Sequence, residues 1–241
     1  MATGGDMAMN YPKLFKDSLM RNLYLLFMVL APLLSVAQPM LEGGLFLGIS
    51  NYQGDLALVS TPRMSESNFA TGLMARTYLS PVTALRANLL YGKLSGDDAN
   101  YRTRTYRSYS FESRLLELSV VGEWEPLGGD RHQNNLDFAG RMSPYLFGGL
   151  GLALINPKVD FHSDSNEKAV EDQLADYSKA QFSIPLGVGL KIGINRLWGF
   201  GLELGTRATF TDYLDGVSRS GNPGANDWYL FGGGLVTYRF K

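Results

Sequence analysis

From residue 41 onward, the chain alternates between large apolar and small or polar positions with a period of two. The pattern is clearest at 182–194, where the even positions from Phe182 to Ile194 are apolar and most of the positions between them are small or polar. Such alternation is typical of β-strands. Seven further segments share it: 41–50, 69–79, 83–92, 115–124, 144–155, 200–210 and 228–240. The sequence therefore predicts eight strands.

The length and second face of these segments favour a membrane barrel over a soluble sandwich. The segments run from about 10 to 14 residues, and a transmembrane strand needs about 9–11. Strands of soluble proteins average about five or six residues. In the predicted segments, the face opposite the large apolar residues is rich in glycine. Small residues there suit a narrow lumen, where opposite walls are close. We expect an all-β, eight-stranded antiparallel transmembrane β-barrel of the outer-membrane type.

The connections between the segments differ in length. Residues 80–82 and 195–199 are short, whereas 51–68, 93–110, 156–179 and 212–227 are long and polar. Outer-membrane barrels have short periplasmic turns and long external loops. The connection 125–141 is the exception, because it is long and falls on the expected periplasmic side.

The N-terminal region has the pattern of a secretory signal. Arg21 precedes the apolar run Leu23 to Leu34, and Ser35-Val36-Ala37 provides small residues before a cleavage site at Gln38. The run is too short to anchor in a bilayer. We expect a signal peptide over 20–37 and a barrel domain over 38–241. Residues 1–19 are polar and unlike a signal, which is consistent with a start at Met20 and an upstream extension.

Composition limits the partner classes. The net charge is −1, so nothing favours a nucleic-acid partner. The chain has no cysteine, which excludes disulfides and thiolate sites. Its 28 glycines and 19 % charged residues fit a lipid-facing barrel, although a glycine-rich soluble sandwich would share them. Outer-membrane lipid is the expected surrounding.

Charged residues recur on the predicted inward face. A balanced set inside a narrow barrel is better explained as a paired internal network than as a pore. Transport or catalysis by this set is the alternative. The set has four acids and four bases: Glu42, Arg76, Arg86, Glu117, Glu123, Lys191, Glu203 and Arg207.

Catalytic signals are sparse. The two histidines, His132 and His162, both fall in predicted loops, and no metalloprotease, nucleophile-elbow or phosphate-loop motif occurs. A site built from His162, Asp160 and Ser163 is conceivable, but such residues are common in polar loops. We therefore expect no enzyme activity, no metal and no cofactor.

Four stretches together resemble the PorG family, small outer-membrane barrels of the type IX secretion system. Thr211–Ser218 (TDYLDGVS) is the most distinctive. Two features depart from that family: Gly216 stands where we expect an acidic residue, and 158–179 matches no recognised pattern. The other three stretches are Gly48–Leu56 (GISNYQGDL), Ser143–Gly151 (SPYLFGGLG) with Asn156-Pro157, and Ile184–Gly189 (IPLGVG).

The resemblance implies a non-enzymatic part of the machine that moves proteins across the outer membrane. It further implies contact with a periplasmic ring formed by a lipoprotein and its partner subunit. Six residues of the matching stretches lie just past strand ends, where they could terminate strands and cap turns or form an extracellular contact surface. These interaction candidates are Asn51, Tyr52, Asp55, Asp212, Tyr213 and Asp215.

Three functions thus stay open at the level of sequence. The first is a secretion-machine barrel, for which the ordered motif matches speak. The second is a structural or adhesive barrel, suggested by the polar outer loops and the filled lumen. The third is a loop-built hydrolase or acyltransferase.

Overall fold

A computed structural model describes residues 40–54, 56, 64–100, 108–129, 141–162, 166–221 and 226–240. The predicted extension 1–19, the signal peptide 20–37 and Asp55 lie outside these residues, as do His132 and Ser163. Within the described residues, no helix is long and apolar enough to cross a membrane.

Eight antiparallel strands close into a single barrel, each paired with its neighbours in chain order. The first and last strands complete the ring, with Leu45 opposite Val236. This confirms the predicted fold. The strands are β1 (Leu41–Gln53), β2 (Asn68–Ser80), β3 (Thr83–Asp97), β4 (Ser110–Trp124), β5 (Met142–Asp160), β6 (Ala180–Gly193), β7 (Trp198–Thr209) and β8 (Trp228–Arg239). Between the strands, the described residues include an α-helix, α1 (Glu167–Leu174), and the 3₁₀ turns Met64–Glu66 and Asp98–Asn100.

The outer wall is a belt of exposed large apolar side chains. Exposure of this many leucines in water would be strongly unfavourable, whereas a closed barrel satisfies its backbone groups and can expose them to lipid. The protein is therefore a transmembrane barrel of the outer membrane. The belt includes Leu45, Leu47, Leu73, Leu89, Leu118, Val120, Leu150, Leu152, Leu186, Val188, Leu202 and Leu204.

At the long-loop end, β3, β4 and β5 extend beyond this belt and the alternation inverts. Inward positions there are apolar and fully buried, such as Leu94 and Leu115, while outward positions such as Arg114 are polar. The predicted loops 93–110 and 156–179 were therefore too long, because β3 continues to Asp97 and β5 to Asp160. A strand that has left the lipid needs a dry inner face and a wet outer one.

The interior is filled along its length. At the long-loop end, an apolar cluster includes Tyr52, Phe111 and Phe231. At the short-turn end, Val121, Tyr145 and Phe147 form a smaller cluster. The charged side chains lie on the inner wall between and beside these clusters.

Candidate functional site

Glu123 on β4 is the centre of a charge network inside the barrel. Its two carboxylate oxygens contact three cations: Arg76 Nε at 2.9 Å, Arg86 Nε at 3.2 Å and Lys191 Nζ at 2.8 Å. These cations come from β2, β3 and β6, so the carboxylate joins distant parts of the wall. All four side chains are buried.

Ion pairs extend the network in both directions. Arg76 Nη1 lies 3.0 Å from Glu42 Oε2, and Arg86 Nη1 lies 2.5 Å from Glu203 Oε2. Tyr145 donates a hydrogen bond of 2.8 Å to Glu203 Oε2. Each charge is thus compensated within the wall, as burial requires.

Arg207 and Glu117 form a separate pair nearer the long-loop end. Arg207 Nε is 3.1 Å from Glu117 Oε2, and Tyr229 donates to the same oxygen at 2.8 Å. The Arg207 guanidinium also lies 4.8 Å from the centre of the Phe231 ring. The structure therefore places all eight inward candidates in buried positions, six of them in one connected network and this pair apart from it.

Two members were missed in the sequence. Glu125 accepts from Lys191 Nζ at 2.8 Å, and Arg239 Nη2 lies 2.7 Å from Glu42 Oε1. Period-two counting from Glu123 and from Thr237 gives both residues inward positions. With them, the described network and pair contain five acids and five bases, and the formal charges cancel.

The network leaves little free space. A cavity of about 20 Å³ at the short-turn end is lined by Glu42, Arg76 and Lys191, among others. That is room for about one water molecule. The geometry supports a filled, electrically neutral interior rather than a water-filled channel.

The loop between β7 and β8 folds into the barrel mouth and covers it. We call residues 211–221 the mouth cap. Leu214, Asp215 and Val217 within it are fully buried. The Tyr52 hydroxyl lies 2.7 Å from Asp215 Oδ2 and 2.6 Å from Asp227 Oδ1, so it bridges the start and end of this loop.

Each of the two carboxylates also accepts a backbone hydrogen bond from the cap. Asp215 Oδ1 accepts from Val217 N at 2.8 Å, and Asp227 Oδ2 accepts from Leu214 N at 2.9 Å. Buried carboxylates are stable only when such donors surround them. The apolar residues Leu214 and Val217 are therefore held against the mouth by polar contacts on either side.

Helix α1 attaches to the other end of the mouth cap through one carboxylate. Asp172 accepts from the backbone N–H groups of Ser218, Arg219 and Ser220 at 3.2, 2.9 and 2.9 Å. The Ser220 hydroxyl adds a fourth bond of 2.5 Å. Because α1 belongs to the connection between β5 and β6, two external loops become one unit.

Glycine is required at position 216 by two features. Its φ of +84° is unfavourable for other residues, and a Cβ would lie 2.7 Å from a methyl group of Val159. An acidic residue at position 216 would therefore be strained in this chain.

Tyr213 of the mouth cap stacks on Tyr177, with ring centres 4.9 Å apart and an interplanar angle of 11°. Partial burial, reinforced by the nearby Asp215, raises the pKa of Tyr177 above its ordinary value. The neutral phenol is thus the form that the cap favours.

The interaction candidates do not form one exposed surface. Asn51, Tyr52 and Asp215 are buried in the mouth, and Asn51 donates to Ser67 Oγ at 3.1 Å. Asp212 and Tyr213 are half-buried in the mouth cap. The prediction that Asn51 and Tyr52 lie past a strand end was wrong, because β1 continues to Gln53. The burial of Asp215 was not predictable, because nothing local in the sequence shows that its loop folds inward.

Of the residues suggested for a loop-built enzyme, the structure describes Asp160 and His162. His162 Nδ1 lies 3.6 Å from Asp160 Oδ1, beyond hydrogen-bond distance, and both side chains are exposed. Among the described residues, no cluster of three or more His, Asp or Glu side chains could hold a metal ion.

A closed eight-stranded wall, a lipid-facing belt and a filled lumen define a small outer-membrane β-barrel. The chain belongs to the family described as a domain of unknown function, DUF6089, whose model matches residues 20–241. Among curated proteins, none matches the sequence.

Several solved structures are similar in fold. The attachment invasion locus protein Ail of Yersinia pestis is 8 % identical with a TM-score of 0.43, and the match covers 85 % of this chain and 100 % of Ail. Neisserial surface protein A is 10 % identical with a TM-score of 0.45, covering 85 % and 98 %. OprG of Pseudomonas aeruginosa is 12 % identical with a TM-score of 0.43, covering 85 % and 96 %.

Proposed function

We propose that this protein is a non-enzymatic outer-membrane component of a type IX protein secretion system. The observation that carries the proposal is the ordered resemblance of four stretches to the PorG family. The most specific of them, Thr211–Ser218, makes up most of the mouth cap, where Leu214, Asp215 and Val217 are buried and bonded. The distinctive residues thus have a defined structural role in the proposed component.

The filled lumen bears on how such a component acts. A barrel with a neutral internal network and a covered mouth would act by binding partners at its surface rather than by passing cargo through its lumen. The proposed partner is the periplasmic ring of a lipoprotein and its partner subunit, so the short-turn end is the relevant surface. There Leu127, just after β4, is 51 % exposed, and Arg196 is exposed between β6 and β7. We take Leu127, as an exposed apolar residue at this end, as the candidate contact residue.

Two exposed leucines at opposite ends allow a matched test. We expect Leu127→Asp to weaken recovery of ring subunits with the barrel after membrane cross-linking and to lower release of type IX cargo. Leu174→Asp, at a leucine 79 % exposed on α1, introduces the same change at the external end and should leave both unchanged. Because both side chains are exposed, neither variant should impair assembly.

The proposal fails if cross-linking of the unaltered protein recovers no ring subunit. Normal recovery and secretion with Leu127→Asp would reject only this contact residue. A loss of secretion with Leu174→Asp alone would move the contact to the external end.

A structural or adhesive barrel is the second candidate function. One observation favours it: α1 exposes Val170 and Leu174 at the external end. Replacing both with Ser should abolish attachment to host or matrix material while secretion stays intact, if adhesion is the role. Unchanged attachment would remove the reason for this candidate.

A further inference from the structure

The outer wall of β3, β4 and β5 carries basic residues immediately above the lipid-facing belt. On these strands Tyr91, Leu116 and Leu154 lie side by side in register as one outward row. The next outward row is Lys93, Arg114 and Asn156, and the row after it is Ser95, Glu112 and Lys158. The change from apolar to basic takes place within one step of the pleat.

These rows lie at the edge of the hydrocarbon layer. Trp124 at the short-turn end of β4 and Arg114 are ten residues apart on one strand (124 − 114). A tilted strand crosses the hydrocarbon in about 9–11 residues. Arg114 therefore reaches the headgroup level of the outer leaflet, since the long loops are external.

A small cleft lies between the basic side chains. It has a volume of about 170 Å³ and is lined by Lys93, Glu112, Ser113, Arg114, Asn156 and Lys158. Lys93 Nζ is 2.5 Å from Glu112 Oε1, so this carboxylate is already paired. Arg114 and Lys158 take part in no ion pair within the described residues. Three cations and one carboxylate give the cleft a formal charge of +2.

Among the described residues of the strands, outward lysine and arginine at this end lie on β3, β4 and β5. At the same end of β2, β6, β7 and β8, or just past it, the outward residues are Phe69, Phe182, Phe210 and Trp228. The described parts of these strands have no outward lysine or arginine at that end. A feature of general solubility would be spread around the ring, whereas this one is local and adjoins lipid.

We propose that this cleft binds a phosphate on the headgroup of an outer-leaflet glycolipid. The Arg114 guanidinium suits bidentate contact with phosphate oxygens, and Lys158, Lys93 and the Asn156 amide can complete the site. The lipid's acyl chains then lie along Tyr91, Leu116 and Leu154. Basic pockets beside a lipid-facing surface are a recognised mode of headgroup binding.

The test uses the folded full-length barrel in nanodiscs of phosphatidylcholine with bisphosphorylated lipid A as probe. Bound lipid is counted by native mass spectrometry as the lipid A fraction rises. Dephosphorylated lipid A with the same acyl chains is the lipid control. We expect the double variant Arg114→Gln/Lys158→Gln to bind the phosphorylated lipid about 30-fold more weakly. Its binding of the dephosphorylated lipid should not change.

Two further variants sharpen the test. Lys168→Gln/Arg196→Gln removes two exposed charges away from the cleft, on α1 and at a short turn, and should leave binding unchanged. Glu112→Gln removes the carboxylate that neutralises Lys93 and should tighten binding. A general loss of stability would not weaken lipid binding in the Arg114→Gln/Lys158→Gln variant and tighten it in the Glu112→Gln variant.

The proposal is overturned if phosphorylated and dephosphorylated lipid bind equally, or if the Arg114/Lys158 variant binds like the parent. It is also overturned if the Lys168/Arg196 variant loses as much affinity, since the effect would then be nonspecific charge. Equal displacement of the lipid by inorganic phosphate at matched concentration would assign the cleft to soluble anions and reject the lipid.

Discussion

Tyr145 shows how closely single residues fill the lumen. Its ring lies against Gly189 on the neighbouring strand, and a Cβ on Gly189 would overlap that ring. The Tyr145 hydroxyl is fixed by Glu203, and Lys191 Nζ lies 4.8 Å from the ring centre. The ring therefore has little freedom to move aside.

Gly189→Ala should consequently destabilise the barrel by about 1–3 kcal/mol through overpacking. Gly122→Ala is the matched control, because a Cβ there meets only the Gly148 carbonyl oxygen at 3.9 Å. Urea unfolding in lipid vesicles measures both. Equal stabilities for the two variants would show that the lumen beside Tyr145 is looser than described.

Prediction of single residues from the sequence succeeded where the odd or even position along a strand alone decides whether the side chain faces the lumen or the lipid. Glu117 and Glu123 were placed inward because they alternate with leucine, valine and tryptophan on the lipid side. Glu125 obeys the same parity but lies just past the end of β4, where the alternation stops. Arg239 lies between Tyr238 and Phe240, so the alternation of 228–240 already gave it an inward position. The partners of each charge could not be predicted, because they depend on which strands meet across the lumen.

Among the elements, the mouth cap is the one whose structure is least predictable from its local sequence. Tyr52→Phe removes the hydroxyl that lies between Asp215 and Asp227, and with it the hydrogen bond that its single proton supplies to these buried carboxylates. We expect a loss of about 1–3 kcal/mol, concentrated in residues 211–221. In this variant, the hydrogen-exchange rates of the amides in 211–221 should increase while those of β7 and β8 change much less.

Tyr91→Phe provides the comparison, because Tyr91 faces outward at the lipid boundary. It should leave exchange in the mouth cap unchanged. If Tyr52→Phe also left it unchanged, the bridge would not be what holds the cap.

The strands themselves were predictable within a few residues inside the belt, because lipid imposes a strict apolar face. Beyond it, β3 to β5 continue with the opposite alternation, and a pattern defined by outward leucines stops too early. There the apolar positions are on the inner face, at buried residues such as Leu94, Phe111 and Ile155, and these positions show that the strands continue. The helix α1 and the burial of the mouth cap depend on contacts between distant loops, which no local period encodes.

At the scale of the whole molecule, the charge network and the mouth cap block the lumen at successive levels. We therefore expect no steady conductance when the folded protein is inserted in planar bilayers at neutral pH. A Glu123→Gln/Arg76→Gln variant should raise it at most transiently, since Tyr145 and Phe147 still occupy the interior. Stable, ion-selective openings of the unaltered protein would contradict a filled barrel.

The most direct test of the account is deletion of the gene, followed by comparison of the culture-medium and periplasmic proteomes with those of the parent strain. A secretion component acting through its surfaces predicts that type IX cargo leaves the medium and accumulates inside. Re-expression of the unaltered chain should restore export. Unchanged cargo in both fractions would contradict the secretion role, while leaving the barrel and its lipid-facing wall as described.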